Sequence, residues 1–376
     1  MRRVRVAAGL APYDVLIGPG VLSHPLLGRV LGAAASGVVV SSAPVMRRHG
    51  AKVLSALKQA GFDPRRLVLL PDGEEAKTTL VWDRTVRAMA RAGLDRSSVV
   101  VAVGGGSVGD AAGFAAATFM RGIRFIQIPT TLLSMVDSSV GGKTGVNLVE
   151  GKNLIGSFHQ PSLVLADLDF LKTLPARERQ SGVYEILKCA FLKDAALLRL
   201  LERTRGLRRM SGADLENAVA AAVRIKARIV ERDERESGDR VLLNLGHTLG
   251  HALEAATAYR GFTHGEAVGY GMEFAVDLSE GLGLLAAPVG RRLRAAIRLI
   301  GSRTPLSAGM ATKVPPAALG DKKKTGREIK EVLLAGPGRP RVQRFPARGL
   351  TTLMGRWVRV AAGSSRGTER ERPALK

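Results

Sequence analysis

The first half of the chain alternates short β-branched runs with stretches in which apolar residues have helical spacing. Strand-like runs lie at residues 38–40, 67–70, 98–103 and 125–128. Helical spacing is found between them, at residues 46–60, 80–92 and 111–119. Strands that alternate with helices in this way are typical of βαβ units. The pattern therefore predicts an α/β, Rossmann-like domain with a parallel sheet over residues 1–175.

The pattern changes near Pro175, after which long helical stretches rich in Ala, Leu and Arg dominate. Examples lie at residues 215–231, 245–258 and 266–280. We predict a mainly α-helical second domain over residues 176–350. Residues 351–376 are assigned to a basic, disordered tail, because the sequence from residue 361 onward is polar and has no periodicity.

The composition is that of a globular protein without disulfides. A hydrophobic content of 45% over 376 residues leaves ample material for buried cores, which excludes a mainly disordered chain. Cys189 is the one cysteine, so an internal disulfide and a multi-cysteine metal site are excluded, and a reducing compartment is indicated. No targeting segment and no long uncharged apolar stretch is present, so we expect a cytoplasmic protein that does not enter membranes.

The chain is strongly basic, with 57 Lys and Arg against 33 Asp and Glu and a formal charge of +24. Such a charge would suit a nucleic-acid partner. However, aromatic residues make up only 4% of the chain and none is interleaved with a basic block. Nucleic-acid binding is therefore not favoured as the main function and is kept only as a second role of the tail. Arginine far outnumbers lysine, so a lysine inside a motif points to a need for a compact ammonium group.

A glycine-rich loop follows the predicted strand at residues 98–103. Gly104, Gly106 and Gly109 have the spacing at which a backbone can approach a diphosphate at the start of a helix. No acidic residue that could bind a ribose lies between Gly113 and Val136, so the usual dinucleotide fingerprint is incomplete. The loop indicates a nucleotide diphosphate site, and a purely structural turn is the alternative.

An unusually polar run comes next, at residues 129–147 and 151–153. It combines hydroxyl groups, Asp137, the lysines Lys143 and Lys152, and several glycines. Lysines suit a phosphate or carboxylate, and hydroxyl groups with one acid suit the hydroxyl groups of a substrate. The run predicts a pocket for a polyhydroxylated anion, and a solvated loop is the alternative.

Three of the six histidines lie within 18 residues of one another. His247 and His251 are spaced i and i+4, on one face of a predicted helix, and His264 begins the next helix. Such a pair with a third ligand is a plausible zinc site, although histidines with this spacing are often ordinary surface or core residues. The spacing leaves the carboxylate ligand open, and the candidates are Glu185, Glu254 and Glu266.

Taken together, these segments resemble the 3-dehydroquinate synthase family of sugar phosphate cyclases. The resemblance runs from about residue 10 to residue 345, over both predicted domains, and implies the fold of that family. The motifs that carry it lie at residues 72–77, 104–110, 121–122, 129–132, 136–144, 151–156, 170–173, 244–251 and 264–268.

The resemblance also implies a role for each site residue. It makes Glu185, His247 and His264 the metal ligands and leaves His251 to handle protons near the substrate phosphate. It implies NAD contacts at Asp72, Gly73, Glu74, Glu75, Ala76, Lys77, Gly106, Ser107, Val108, Gly109, Asp110, Thr130, Thr131, Lys143, Lys152, Phe170, Leu171, Lys172 and Thr173. It implies substrate contacts at Arg121, Asp137, Lys143, Lys152, Asn153, Lys188, Lys226, Arg240 and Asn244. A further lysine is expected from Lys322 or Lys323.

The implied enzyme is a lyase of the shikimate pathway that uses NAD and Zn²⁺ or Co²⁺, and a homodimer is the family's usual form. The implied reaction oxidises C5 of 3-deoxy-D-arabino-heptulosonate 7-phosphate by hydride transfer, eliminates phosphate, returns the hydride and closes the ring by an aldol step. Cyclases that act on sedoheptulose 7-phosphate or glucose 6-phosphate usually alter residues 141–144 and 151–153, which are unaltered here. A polyol dehydrogenase of related fold has no need for the phosphate lysines.

The sequence departs from the family pattern at two places. The family usually has Asn or Asp near Ser42, so the adenosine-ribose contact at that position is in doubt. Around Glu185, Tyr184 and Cys189 replace the family's common flanking residues, while the spacing from Glu185 to Lys188 is kept. We expect these two flanking changes to affect packing only.

Overall fold

The computed structural model describes residues 1–9, 12–32, 36–322 and 327–363, except for the side chains of residues 321 and 322. The expected substrate lysine at Lys322 or Lys323 and the end of the predicted tail, residues 364–376, therefore lie outside the described part. The chain divides into two compact units. The first comprises Met1–Pro175 and Val219–Arg235, and the second comprises Ala176–Ala218 and Glu236–Lys376.

The strands are β1 (Arg2–Val6), β2 (Tyr13–Gly18), β3 (Ser36–Ser42), β4 (Asp63–Leu70), β5 (Val99–Gly104), β6 (Arg124–Pro129), β7 (Lys143–Leu148), β8 (Gly151–Phe158), β9 (Leu163–Asp167), β10 (Glu328–Leu334) and β11 (Pro340–Pro346). The helices are α1 (Leu26–Leu31), α2 (Ala43–Gln59), α3 (Thr79–Arg91), α4 (Gly106–Thr118), α5 (Ala176–Lys193), α6 (Ala195–Thr204), α7 (Gly212–Arg232), α8 (His247–Ala256), α9 (His264–Gly281), α10 (Ala287–Leu299), α11 (Met310–Lys322) and α12 (Ala347–Gly363).

A seven-stranded sheet forms the centre of the first unit, in the order β1-β2-β9-β6-β5-β3-β4. Neighbouring strands are parallel from β2 to β4, and only β1 is antiparallel to its neighbour. The valine-rich β3 and β5 are buried on both faces, as expected for central strands covered by helices. The predicted α/β class with a parallel sheet is confirmed. Because the parallel strands all point the same way, their carboxyl ends place the loops that follow them at one edge of the sheet.

The polar run at residues 129–147 contains a helical turn and a strand and is not a simple loop. Residues Ser134–Ser138 form a turn of π-helix. β7 and β8 then form an antiparallel hairpin. This hairpin packs on α4 at Gly113, where an added Cβ would lie 2.5 Å from Thr144 Cγ2. Glycine is therefore required at this crossing, and the hairpin is held against the helix that starts at the glycine loop.

Residues 219–235 group with the first unit, which corrects the predicted boundary that placed them in the second domain. Three contacts explain the grouping. The Ala7 N–H donates to Glu231 at 2.8 Å. Gln160 Nε2 donates to Glu234 at 2.7 Å, and Lys226 bonds to Asp137. Helical periodicity runs through residue 218 without interruption, so the sequence pattern carried no sign of this division.

The second unit is mainly helical, as predicted, with one small hairpin of β10 and β11. One of its hydrophobic cores collects buried residues from α8, α9, α11, β10 and α12. The predicted disordered tail is wrong for residues 351–363, because α12 extends through them. Leu350, Met354, Trp357, Val358 and Ala361 are buried on one face of that helix. No helix in the described ranges is long and apolar enough to cross a membrane.

Candidate active site

Three helices of the second unit supply the predicted metal ligands. Glu185 lies in α5, and His247 and His264 are the first residues of α8 and α9. α9 starts at His264 because Thr263 and Glu266 form a capping box there. α5 and α9 approach closely at Gly265, where an added Cβ would lie 2.2 Å from the Ser181 carbonyl oxygen. Glu185 comes one helical turn after Ser181, so this crossing places its carboxylate beside His264.

The three side chains converge on one point. Glu185 Oε1 lies 3.5 Å from His264 Nε2 and 3.8 Å from His247 Nε2. One ligand atom from each residue lies within 4.8 Å of the other two. Ligands about 2.0–2.2 Å from a tetrahedral ion lie about 3.3–3.6 Å apart, which is close to these distances. The group therefore fits a divalent ion.

Electrostatics distinguish the two histidines. Burial and the neighbouring Lys188 ammonium hold the pKa of His247 well below its usual value, so this imidazole is neutral. Burial also acts to lower the pKa of His264, but hydrogen bonds to Glu185 and Glu254 outweigh it and raise the pKa to about 10. Lys188, itself buried, forms an ion pair with Glu185. The site thus concentrates opposite charges in a place where water is largely excluded.

The structure separates the three carboxylates that the sequence left open. Glu185 faces the Nε2 atoms of the histidine pair, as the resemblance implied. Glu254 instead lies 3.2 Å from His264 Nδ1. Glu266 caps α9 and accepts a hydrogen bond from Arg177 at 2.6 Å, so its carboxylate is engaged in holding the helix end. One carboxylate faces both histidines, one contacts the opposite ring nitrogen of His264, and one fixes the helix end.

The other predicted residues of the second unit lie close to this group in the chain. The His251 ring centroid is 5.3 Å from that of His247 and 6.1 Å from that of His264. Arg240 is buried in the short 3-10 helix Asp239–Asn244. Asn244 ends that helix and donates to Glu236 at 3.0 Å. His251 therefore lies against the metal group, and the 3-10 helix leads into α8, which begins with His247.

Tyr184 and Cys189, the two residues that depart from the family pattern around Glu185, are both buried. Burial raises the pKa of the Tyr184 hydroxyl, which is therefore neutral. Both positions are packing positions in α5.

In the first unit, Lys77 brings together two segments that the sequence analysis assigned to the cofactor and the substrate. Its ammonium donates to Asp110 at 2.6 Å and also to Asn153. Glu74 accepts from Asn147 at 2.8 Å and lies 3.3 Å from Lys152. The predicted residues 72–77, the start of α4 and the β7–β8 hairpin therefore form one polar cluster.

The glycine loop opens α4 directly after β5. The Thr130 N–H donates to the Gly104 carbonyl at 2.9 Å, which ties the loop to the end of β6. A Cβ on Gly106 would lie 2.9 Å from Ser138 Oγ. Ser138 was not among the predicted site residues, yet its buried hydroxyl has no hydrogen-bond partner within the described ranges. The signal that could have identified it is its place beside Asp137 in the polar run.

The predicted contacts at Phe170, Leu171, Lys172 and Thr173 lie in and just after a 3-10 turn that follows β9. His49 of α2, which no sequence motif indicated, lies 3.0 Å through its Nε2 from the Thr173 hydroxyl. Its ring also meets Phe170 edge-on at 4.8 Å. This turn therefore belongs to the same sheet edge as the glycine loop, since β9 is parallel to β6.

Four of the predicted substrate residues of the first unit differ in their exposure. Lys226 is buried and bonded to Asp137. Arg121 is exposed and has a left-handed backbone, with φ of +66°. Lys143 is exposed at the first position of β7. The buried pair is fixed by the fold, whereas Arg121 and Lys143 are exposed.

The fold and the site together define a class, that of metal-dependent enzymes with a nucleotide-binding α/β unit and a helical metal-binding unit. Family models for the N-terminal and C-terminal parts of 3-dehydroquinate synthase match residues 67–181 and 182–324. The chain belongs to the 3-dehydroquinate synthase family.

Individual relatives agree with this assignment. The chain is 47% identical to the 3-dehydroquinate synthase of Pelotomaculum thermopropionicum over 305 residues, which cover 80% of this chain and 81% of the relative. It is 45% identical to that of Caulobacter vibrioides over 348 residues, or 90% and 94% of the two chains.

Solved structures extend the likeness to other cyclases. The 2-epi-5-epi-valiolone synthase of Streptomyces hygroscopicus, solved with NAD⁺ and Zn²⁺, matches with a TM-score of 0.82 at 30% identity, over 94% of this chain and 99% of that one. A 2-deoxy-scyllo-inosose synthase bound to carbaglucose-6-phosphate, NAD⁺ and Co²⁺ shares the fold, with a TM-score of 0.84 at 24% identity, over 95% and 99% of the two chains. The fold that the resemblance implied is confirmed.

Proposed function

We propose that this chain converts 3-deoxy-D-arabino-heptulosonate 7-phosphate into 3-dehydroquinate and inorganic phosphate, as an NAD- and metal-dependent carbon–oxygen lyase of aromatic amino acid biosynthesis. The observation that carries the proposal is the convergence of Glu185, His247 and His264 in a chain 47% identical to a 3-dehydroquinate synthase. NAD with Zn²⁺ or Co²⁺ is assigned as the cofactor set, supported by the relatives solved with them.

The metal ligands are Glu185, His247 and His264. Two imidazole nitrogens and one carboxylate are a donor set of the kind that would hold a catalytic zinc ion. The bound ion supplies a Lewis acid that stabilises negative charge on a substrate hydroxyl oxygen. Lys188 holds the Glu185 carboxylate, which fixes the ligand in place and adds positive charge beside the substrate oxygens.

The cofactor site is assigned to the sheet edge of the first unit. The free N–H groups at the start of α4 suit the diphosphate, and Lys77 is oriented by Asp110 and Asn153. The turn at residues 170–173 and the pair Thr130 and Thr131 complete the assignment. Bound NAD supplies a hydride acceptor that is regenerated in each turnover, so the reaction involves no net oxidation.

Cationic and amide side chains are assigned to the substrate. Their shared property is the ability to hold a phosphate or a carboxylate, and they orient the carbon chain for ring closure. They are Arg121, Lys143, Lys152, Asn153, Lys188, Lys226, Arg240 and Asn244. Asp137 accepts from Lys226 and is assigned to the substrate hydroxyl groups, and His251 is assigned to proton transfer beside the phosphate.

The proposal is tested with the purified full-length chain, NAD⁺, Zn²⁺ and the heptulosonate phosphate. Inorganic phosphate and 3-dehydroquinate should appear in equal amounts, and His264→Ala should release neither. Sedoheptulose 7-phosphate serves as the competing substrate, because the valiolone synthase likeness makes another cyclase the second candidate. Turnover of sedoheptulose 7-phosphate without turnover of the heptulosonate phosphate would assign the chain to that candidate.

We also infer a homodimer in the cytoplasm. The dimer follows from family membership, and the single buried cysteine suits a reducing compartment. Light scattering of the purified chain should give twice the mass of 39.9 kDa.

A further inference from the structure

His264 lies between two carboxylates, one on each ring nitrogen. Its Nε2 is 3.5 Å from Glu185 Oε1, on the side where His247 converges. Its Nδ1 is 3.2 Å from Glu254 Oε2. Glu254 lies near the end of α8, on the helix that begins with His247, and only 9% of it is exposed.

One neutral imidazole has one N–H and one lone pair, and the partner of the N–H decides which nitrogen can bind a metal. A carboxylate next to Nδ1 accepts the proton held there, which leaves the lone pair on Nε2. The same contact fixes the rotation of the ring and makes the free nitrogen a stronger ligand. When an ion takes the place of the proton on Nε2 of His264, the lone pair of that nitrogen faces Glu185 and His247.

We propose that Glu254 is a positioning residue of the metal site, which accepts the Nδ1–H of His264 and directs Nε2 to the ion. The inference rests on the proposed function, because it concerns the ion assigned there. It also explains why α8 contributes at both ends. His247 at its start and Glu254 seven positions later share one face of the helix, and both face His264.

A second group of side chains shares His264 with the first. His251, Glu254 and His264 also have ligand atoms within 4.8 Å of one another. That arrangement would use Nδ1 of His264, whose partner in the structure is Glu254. Glu185 is 1% exposed and meets both His247 and His264 at Nε2, so the structure favours the Nε2 arrangement. The second arrangement becomes an outcome of the test.

The test measures Zn²⁺ affinity of the metal-stripped full-length chain by competition with a chromophoric chelator. Glu254→Gln and Glu254→Ala should weaken Zn²⁺ binding by about 10- to 100-fold, with the larger loss for Ala. Glu280→Gln is the matched control, since Glu280 lies on α9 and its carboxylate binds Arg294. This control should bind Zn²⁺ like the original chain. The melting temperature of the metal-free variants separates a ligand effect from misfolding.

Co²⁺ absorption distinguishes the two arrangements. A positioning role predicts that Glu254→Gln binds one Co²⁺ per chain with an unchanged visible spectrum and lower affinity. A Zn²⁺ affinity of Glu254→Gln within threefold of the original chain would overturn the proposal. A Co²⁺ spectrum that changes in Glu254→Gln but not in Glu185→Ala would also overturn it, because Glu254 would then be a ligand. If the original chain binds no Zn²⁺, or binds it only as well as His247→Ala does, the metal site of the proposed function is wrong. The role of Glu254 is then wrong as well.

Discussion

Lys226 donates to Asp137 twice, to the main-chain oxygen at 2.6 Å and to the carboxylate at 2.5 Å. The two residues are 89 positions apart, and the contact fixes the π-helical turn of the polar run to α7. Both groups belong to the proposed substrate site. The pair therefore has a structural role in the fold and a proposed role in substrate binding. Stability and turnover measurements separate the two roles.

Lys226→Met should lower the free energy of unfolding by about 2 kcal/mol, because it removes a buried ammonium group and its hydrogen bonds to the carboxylate and the main-chain oxygen of Asp137. Urea unfolding measures this loss. Adding Asp137→Asn should cost less stability in the Lys226→Met background than in the original chain, since the ion pair is already broken there, and it should not recover turnover. Strictly additive losses in this double-mutant cycle would show that the two side chains do not interact energetically.

Removing the ion should abolish turnover and returning it should restore activity. Exhaustive chelation followed by addition of Zn²⁺ or Co²⁺ tests this, with phosphate release as the assay. His247→Ala should lose at least about 100-fold in activity and should not be rescued by either ion at concentrations that restore the original chain. Full activity after chelation would remove the metal from the reaction.

Gly106→Ala should weaken NAD binding at least tenfold, which corresponds to about 1.4 kcal/mol. The added methyl group would lie 2.9 Å from Ser138 Oγ, at the start of α4 where the diphosphate is placed. Gly212→Ala is the control, because an added Cβ at that helix start meets nothing within 4 Å. Fluorescence titration with NADH gives the affinity. Equal NAD affinity in both variants would place the diphosphate elsewhere, and Zn²⁺ affinity should be unchanged in each.

Acid should destabilise the start of α9 through Glu266. Burial acts to raise the pKa of this carboxyl, but the Arg177 guanidinium and the Thr263 N–H outweigh burial and lower it below 4.5. The unfolded chain therefore binds the proton more readily, so the contribution of Glu266 is complete above pH 4.5 and is lost as the pH falls through the lowered value. Urea unfolding at pH 6 and below pH 4 should show a smaller pH effect in Glu266→Gln than in the original chain. An identical pH dependence would contradict this role.

Much of the sheet was predictable because its central strands are short valine-rich runs between amphipathic helices. The first strand was missed, although Arg3, Val4, Arg5 and Val6 alternate between exposed and buried positions. Its arginines pair with Asp14 of β2, a contact between strands that no local pattern records. α12 was missed because its exposed arginines gave the segment the composition of a tail, while its buried positions are spaced at helical intervals.

The metal site shows a similar limit. The spacing of His247 and His251 drew attention to a pair on one helix face, whereas the structure pairs His247 with His264 around Glu185. Only the packing of α5 on α9 decides which of the three carboxylates lies beside the Nε2 atoms of His247 and His264. Nothing in the local sequence separates Glu185 from Glu254, because their difference lies in which ring nitrogen of His264 each one meets.

The return of residues 219–235 to the first unit has a consequence for anyone who wishes to dissect this protein. A fragment that stops at the end of the α/β sequence would leave Asp137, Gln160 and the backbone of Ala7 without the partners that α7 and the residues after it provide. Neither unit is therefore encoded by one continuous stretch of the gene. Expression of residues 1–175 alone would lack part of the first unit, and expression of the remaining residues would carry that part away from its partners.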